Sequence, residues 1–380
     1  MNTFKILLVT QIGYDSLISS FYRRNPDLKE LSYSDHKNFL IDYCPVHLNS
    51  FSSHMRNLGH ECEEIVYDLE SLQKSWAYEN NVKYGPVNWK EDIMMEQIFA
   101  FKPELIFFQG APVFSGWLLT RIKELIPSVQ KVVVHNGNPG NIKDNRGIDL
   151  ILGCIPSITD YFIKLGANSK TLYYYFDEKV LQSLNNLQFF GNSIDKEIES
   201  SFVGFSGFGG LGNTHSSRFM FLESLLENTN IEMWLIEGSK RDPNLNIDTI
   251  PLLQQYPNRC HQGVMGLDMY NILQKSTICL NKHGALTFGN VGNMRIFEAT
   301  GVGSCLVTDT AKNMDDLFEP DHEVITYKST EECLEKLKYL SLNLSEAKKI
   351  GQNAQKKALQ YHSLKQRCDL LNEYFQELFI

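Results

Sequence analysis

The 380-residue chain has no run of about eighteen apolar residues, so no membrane-spanning helix is expected. Its apolar N-terminal stretch, Met1 to Thr10, is too short for a signal sequence and reads as a first buried strand. Cytoplasmic is therefore the expected location. The eight cysteines stand at 44, 62, 154, 260, 279, 305, 333 and 368. No two have the spacing of a zinc site or a redox motif, and several lie in apolar runs, as small core residues of a reducing compartment do. Basic residues are too few and too dispersed for a nucleic-acid protein: 36 Lys and Arg against 45 Asp and Glu give a net charge of −9. His215, His261 and His283 lack metal-ligand spacing, and no Asp-x-Asp stands in a suitable loop, so neither metal nor cofactor is expected. No internal repeat and no low-complexity segment interrupts the chain.

What is present is alternation. Length and 43% hydrophobic content suggest two domains, each with its own core. Strand patterns over 6–10, 61–67, 105–108, 131–135, 150–152 and 171–175 alternate with helical patterns over 45–57, 89–101 and 118–125. Leu105-Ile-Phe-Phe108 is apolar throughout, as a central parallel strand covered on both faces must be. A polar stretch over 177–200, with Asn185-Asn186 and Gly191-Asn192, reads as a linker. A second series follows, with strands at 202–205, 232–236, 278–280 and 304–308. Its helices are expected at 218–227, 267–274, around Arg295, 330–340 and 344–359. Two such series predict an α/β protein of two doubly wound, Rossmann-like domains. The expected bounds are 1–178 and 199–362. An amphipathic helix over 363–380 is expected to return to the first domain.

Three segments carry polar side chains where such sheets bind ligands. Phe202 to Arg218 is a strand, a glycine-rich turn (Ser206, Gly207, Gly209, Gly210) and a helix start. Glycines there let the backbone approach a phosphate, helix-start N–H groups favour anions, and Arg218 adds a charge. No Gly-Lys-Ser/Thr follows, so it is not a Walker motif, and the clean dinucleotide fingerprint is missing too. Asn281-Lys282-His283 directly follows a buried strand. Arg295 and Glu298 share a helix face at i,i+3, where a carboxylate can accept ribose hydroxyls and a guanidinium can grip a diphosphate.

The order and spacing of these segments resemble the nucleotide-sugar site of GT-B glycosyltransferases, in particular the spore-protein CgeB-like group. The likeness covers roughly residues 200–370 and rests on Asn281, His283 and Arg295-Ile-Phe-Glu298, together with Asp316-Leu-Phe-Glu319 and Tyr361-His362. It implies two domains facing across a cleft. It also implies metal-independent transfer of a sugar from a nucleoside-diphosphate sugar, with UDP or GDP favoured as the donor nucleotide. The acceptor would be a glycan, a lipid-linked molecule or a protein, in bacterial cell-surface glycan or glycoprotein synthesis. Nucleic acid is not an expected partner, and peripheral membrane contact stays open.

By the same resemblance Glu298 binds ribose, while Arg218, Arg295 and the glycine turn hold the diphosphate. The main chain near Val264 holds the base, and Lys282 or His283 assists the leaving group. Many retaining relatives carry a glutamate eight residues before Glu298. Here that place is Asn290, so its sugar contact falls to Asn290, Asn293 or main chain. In the first domain Gly13 and Tyr14 resemble the glycine loop that faces the donor sugar and acceptor. Gln109 and Asn136 end neighbouring strands, and His135 is the catalytic candidate of that domain. Two other readings keep the same scaffold: a nucleotide-sugar epimerase, for which Asp15 is present without a convincing second carboxylate, and a non-catalytic partner subunit.

Overall fold

The structure, a computed structural model, describes residues 2–13, 15–43, 50–109, 116–138, 140, 142, 144–189, 198–208, 213–237, 249–284 and 289–380. The first elements are β1 (Lys5–Thr10), α1 (Asp15–Arg24), α2 (Tyr33–Tyr43), α3 (Ser50–Asn57), β2 (Glu61–Val66), α4 (Glu70–Glu79), α5 (Trp89–Phe101), β3 (Leu105–Gln109) and α6 (Gly116–Leu125). They continue through β4 (Lys131–Asn136), β5 (Leu150–Gly153), α7 (Pro156–Lys164), β6 (Ser169–Thr171), α8 (Lys179–Phe189), β7 (Ile198–Phe205), α9 (Asn213–Asn228) and β8 (Glu232–Ile236). The remainder are α10 (Leu252–Gln255), β9 (Cys260–Gln262), α11 (Gly266–Lys275), β10 (Ser276–Leu280), α12 (Met294–Gly301), β11 (Cys305–Asp309), β12 (Ile325–Tyr327), α13 (Thr330–Leu342), α14 (Leu344–Tyr361) and α15 (Leu364–Leu378).

The chain divides into two compact units. One comprises Met1–Tyr14, Tyr22–Asp177 and Leu364–Ile380; the other comprises Asp15–Phe21 and Glu178–Ser363. Each holds a six-stranded parallel sheet, ordered β2-β1-β3-β4-β5-β6 and β12-β11-β10-β7-β8-β9. Strand order reverses between β1 and β3 in the first sheet, and between β7 and β10 in the second. Crevices at the carboxyl ends of such strands are where open α/β sheets bind ligands.

Period-two alternation explains the packing of the first sheet. Ile6, Leu8, Leu105, Phe107, Val133 and Leu152 point to one face, where Leu364, Cys368, Leu371 and Phe375 of α15 cover them. Leu7, Val9, Ile106, Phe108, Val132 and Val134 point to the other, under Met94 and Ile98 of α5 and Ile122 of α6. Strands covered on both sides must be apolar at every position, hence the continuous runs. A histidine wedge ties α15 in place. His60 Nδ1 accepts from the Phe4 N–H at 3.0 Å, and its Nε2 bonds Asn372 Oδ1 at 2.9 Å. Phe379 stacks on Phe4 with ring centroids 4.3 Å apart.

Three elements differ from expectation. The helix expected over 45–57 is seen as α3, because 44–49 lie outside the described residues. The strand expected over 171–175 ends at Thr171, and the Leu172 carbonyl beyond it accepts from a histidine ring instead. The expected linker contains α8, since Val180 and Leu184, one turn apart, are buried and give that polar stretch an apolar stripe. The seven described cysteines are free buried thiols. Burial pushes Cys154, Cys305 and Cys333 up to about 12. Among the described residues no helix is long and apolar enough to cross a membrane.

In the second unit α14 lies so close to the α12–β11 turn that a Cβ on Gly351 would come within 2.3 Å of the Gly303 carbonyl oxygen. Helix propensity alone would make Gly351→Ala stabilising by up to about 1 kcal/mol. The clash decides the sign: the variant is expected to lose about 1–3 kcal/mol in urea unfolding. An unchanged or raised midpoint would show that α14 has room to move away.

Candidate functional site

The site is built at the β7–β10 reversal of the second sheet. Polar residues follow β10 directly: Asn281, Lys282 and His283. Asp309, the last residue of neighbouring β11, gathers them. Its Oδ1 accepts the His283 backbone N–H at 3.0 Å and the His283 Nδ1–H at 2.6 Å. Its Oδ2 lies 3.5 Å from Lys282 Nζ. Burial alone would raise the Asp309 carboxyl. The His283 N–H groups and the Lys282 ammonium outweigh burial and hold it well below the usual carboxylate range.

The same residues are propped from other sides. Lys282 Nζ lies 5.2 Å from the Phe221 ring centroid and 5.6 Å from that of Tyr327, and those two rings stack. Tyr327 donates its hydroxyl to the Asn281 carbonyl at 2.9 Å, and Arg218 Nη2 donates to the Lys282 carbonyl at 2.9 Å. The Asn281 and Asn293 amides bond reciprocally, at 2.8 and 3.2 Å. Asn293 is the residue preceding α12, so this pair fixes the start of that helix.

Contact with a carboxylate places the His283 proton on Nδ1. Nε2 then faces the Asn281 amide at 3.3 Å as an acceptor. With its ring 4% exposed and both nitrogens engaged, His283 supports Lys282 rather than offering a free acid. Lys282, 29% exposed, is the more accessible cation.

Arg295 and Glu298 lie on α12 as expected, but they are turned toward each other. Arg295 Nη1 stands 2.8 Å from Glu298 Oε2, and Arg295 Nε donates to the Val203 carbonyl of β7 at 3.2 Å. Burial raises the Glu298 carboxyl, opposed by the Arg295 guanidinium and the Tyr270 hydroxyl. In this geometry the Arg295 charge is engaged in holding Glu298.

Ser206 is buried: its N–H donates to the Ile236 carbonyl and its Oγ accepts from the Phe208 N–H, shaping a turn in which Gly207 has φ +89°. Gly209 and Gly210 lie outside the described residues. Val264, half-buried, follows Gly263, where a Cβ would meet Ile236 at 2.7 Å. Asn290, half-buried, precedes Val291, whose backbone N–H and carbonyl are both taken by the Asn313 side chain.

In the first unit Gly13, Gln109, His135 and Asn136 fall at the carboxyl ends of β1, β3 and β4, which adjoin in the sheet. Tyr14 lies outside the described residues. Asp68 accepts from the Ile12 and Gly13 N–H groups and so shapes the glycine loop. Gln109 donates to the Tyr175 hydroxyl at 3.3 Å. His135 is 2% exposed, its Nε2 donates to the Leu172 carbonyl at 2.8 Å, and burial pushes its pKa down to about 4. Burial disfavours the charged ring, and Nε2 is committed to the Leu172 carbonyl. Asn136 Oδ1 accepts from the Asn138 N–H, while its Nδ2 is buried without a partner among the described residues.

Sequence reasoning gave no role to Asp309, Tyr327, Phe221 or Asp68. An aspartate closing an apolar strand was a legible signal for the first. The two aromatics were indistinguishable from core residues.

Residues 221–373 match the family described as glycosyl transferase-like. Most of that span, 221–363, lies in the second unit. The match is to this broad family and does not single out the CgeB-like group. No curated protein matches the chain in sequence. Among solved structures, Anabaena HepE in complex with UDP-glucose is similar at 14% identity, covering 98% of this chain and 100% of its own, with a TM-score of 0.59. Sucrose-phosphate synthase from Thermosynechococcus elongatus matches at 10% identity, covering 99% of each chain, with a TM-score of 0.57. UDP-GlcNAc 2-epimerase from Neisseria meningitidis bound to UDP-GlcNAc matches at 11% identity, covering 98% of this chain and 100% of its own, with a TM-score of 0.52. At these identities the likeness is one of fold, and the fold is that of the GT-B glycosyltransferases.

Asp309→Asn replaces a carboxylate that accepts from two His283 N–H groups. It is expected to cost the second unit about 1–3 kcal/mol at neutral pH. A carboxyl held below its unfolded value stabilises the fold above about pH 4 and loses that contribution as pH falls through its folded value. Urea unfolding of both proteins should therefore converge as pH drops below about 4. A gap that stays constant with pH would sink the electrostatic account.

Proposed function

We propose that the chain transfers a sugar from a nucleoside-diphosphate sugar to an acceptor hydroxyl. The observation that carries this reading is the placement of Lys282. Its ammonium is held by Asp309 and two ring faces at the carboxyl edge of β10, with Arg218 bonded to its own carbonyl. A fixed, partly desolvated cation at a sheet's ligand edge, near the start of α9, suits an anion that gains charge during reaction.

In transfer the bond from the anomeric carbon to the diphosphate oxygen breaks and its electron pair stays on the diphosphate. Lys282, Arg218 and the N–H groups at the start of α9 stabilise that charge, which is larger in the transition state than in the bound donor. Glu298, kept in place by Arg295, accepts the ribose hydroxyls. Main chain near Val264 takes the base, and Asn290 and Asn293 take the sugar hydroxyls. Carboxyl-end groups of the first unit (Gly13, Gln109 and the side-chain amide of Asn136) serve the acceptor, whose hydroxyl oxygen bonds the anomeric carbon while its proton passes to the departing diphosphate or to water. His135 holds the end of β4 in place. UDP is the first nucleotide to test, because HepE was solved with UDP-glucose.

A thermal-shift comparison of UDP, GDP, TDP and CMP should show stabilisation by one nucleotide, about 2.7 kcal/mol at a hundredfold excess over Kd. Lys282→Met, which leaves Asp309 both His283 donors, should lose about 1 kcal/mol of stability or less yet lower turnover on the order of 10²–10³-fold. Arg295→Ala is a poorer probe. It leaves a buried carboxylate unpaired, at a cost of about 3–5 kcal/mol in stability. If no nucleotide stabilises the protein, the transferase reading fails. Stabilisation without turnover of any sugar nucleotide would instead favour a non-catalytic subunit.

A further inference from the structure

The first unit holds a second concavity, remote from Gly13, Gln109 and Asn136. A cavity of about 300 Å³ lies over the β1–β2 edge of the sheet, where Leu7 pairs with Glu63, and is closed by α2, α4 and the end of α5. α5 runs into β3, so its last turn marks the amino-terminal edge of the sheet, opposite the edge where such folds bind nucleotides.

The lining has a specific character. Trp76 and Tyr33, both half-buried, supply aromatic surface. Lys37 and Glu63 form an ion pair, and the Lys37 ammonium also lies over the Tyr33 ring. Burial raises the Glu63 carboxyl, but the Lys37 ammonium outweighs it and keeps the carboxylate charged. The two charges cancel, so the cavity has no preference for an ion. Gln97 is 4% exposed, and both its Oε1 and Nε2 are without a hydrogen-bond partner among the described residues. Buried amides rarely stay unpaired. A rotation of the side chain toward the cavity that Gln97 lines would present a donor and an acceptor side by side, the complement of vicinal hydroxyls, which also donate and accept.

We propose that this cavity binds one neutral sugar ring, its C–H face against the aromatic surface of Trp76 and Tyr33 and its hydroxyls on Gln97, Lys37 and Glu63. The volume is at the small end of the range for ligand sites, suited to a single ring rather than an oligosaccharide. The inference does not rest on the transferase reading, because it uses none of the residues assigned to the donor.

Saturation-transfer NMR on the full chain, with D-glucose, D-galactose and N-acetyl-D-glucosamine as probes and glycine as the zwitterionic control, tests it. At least one sugar should bind saturably with a millimolar Kd. Gln97→Leu and Ala100→Trp should each weaken that binding tenfold or more. Ala100 is an exposed residue at the rim, so its replacement blocks the cavity without disturbing the core. Lys282→Met should leave the sugar signal intact, which separates this cavity from the donor site. The proposal is overturned by the absence of saturable sugar binding, by binding undiminished in both cavity variants, or by glycine binding that the same variants abolish.

Discussion

Asp309 is the residue on which the second unit's polar edge depends. A carboxylate that leaves water incurs a large desolvation penalty, offset only if its lone pairs meet fixed donors. Here a backbone N–H, an imidazole N–H and an ammonium converge on it. Each donor belongs to the two residues Lys282 and His283, so satisfying one carboxylate locks both. Asn281, their neighbour, then reaches Asn293 and sets where α12 begins. The placement of Glu298 follows from that start. A single charge at the end of β11 thus organises residues from three separate stretches of chain.

Arg295 and Glu298 illustrate how a buried pair differs from an exposed one. On a solvated helix an i,i+3 pair contributes little. In the interior the same pair is obligatory, because either partner alone would be an uncompensated charge. The additional bond from Arg295 to the Val203 carbonyl ties α12 to β7, the strand that leads into the glycine-rich turn. On the proposed reading the cation for the diphosphate is therefore Lys282, whose side chain is partly exposed, while Arg295 holds Glu298 in register.

The alternation of strands and helices was legible because parallel strands buried on both faces are written as unbroken apolar runs: Leu105 to Phe108 and Val132 to Val134 could hardly be anything else. Polar residues placed straight after such runs were legible for the same reason, which is why Asn281, Lys282, His283 and Asn136 could be named as candidates. Pairings were not legible. Nothing in the spacing of Arg295 and Glu298 says that they face each other rather than a ligand, and no neighbour in sequence reveals that the His135 ring is bonded to the Leu172 carbonyl. α8 was hidden by its asparagines, whose low helix propensity is overridden by the burial of Val180 and Leu184. α2 and α4 were hidden by mixed polarity along their lengths.

The last helix carries a consequence for synthesis. α15 supplies one face of the first unit's core, bonded through Asn372 to the His60 wedge beside β1. A ribosome releases this chain from its amino end, so the first sheet emerges early with one apolar face covered only in part, by Phe51 and Met55 of α3. The second unit, apart from its short segment near residue 15, is contiguous and can complete its core while translation proceeds. The order of completion is therefore inverted relative to the order of emergence. Until α15 arrives, the nascent protein displays a parallel sheet with part of one apolar face exposed, a surface that favours self-association.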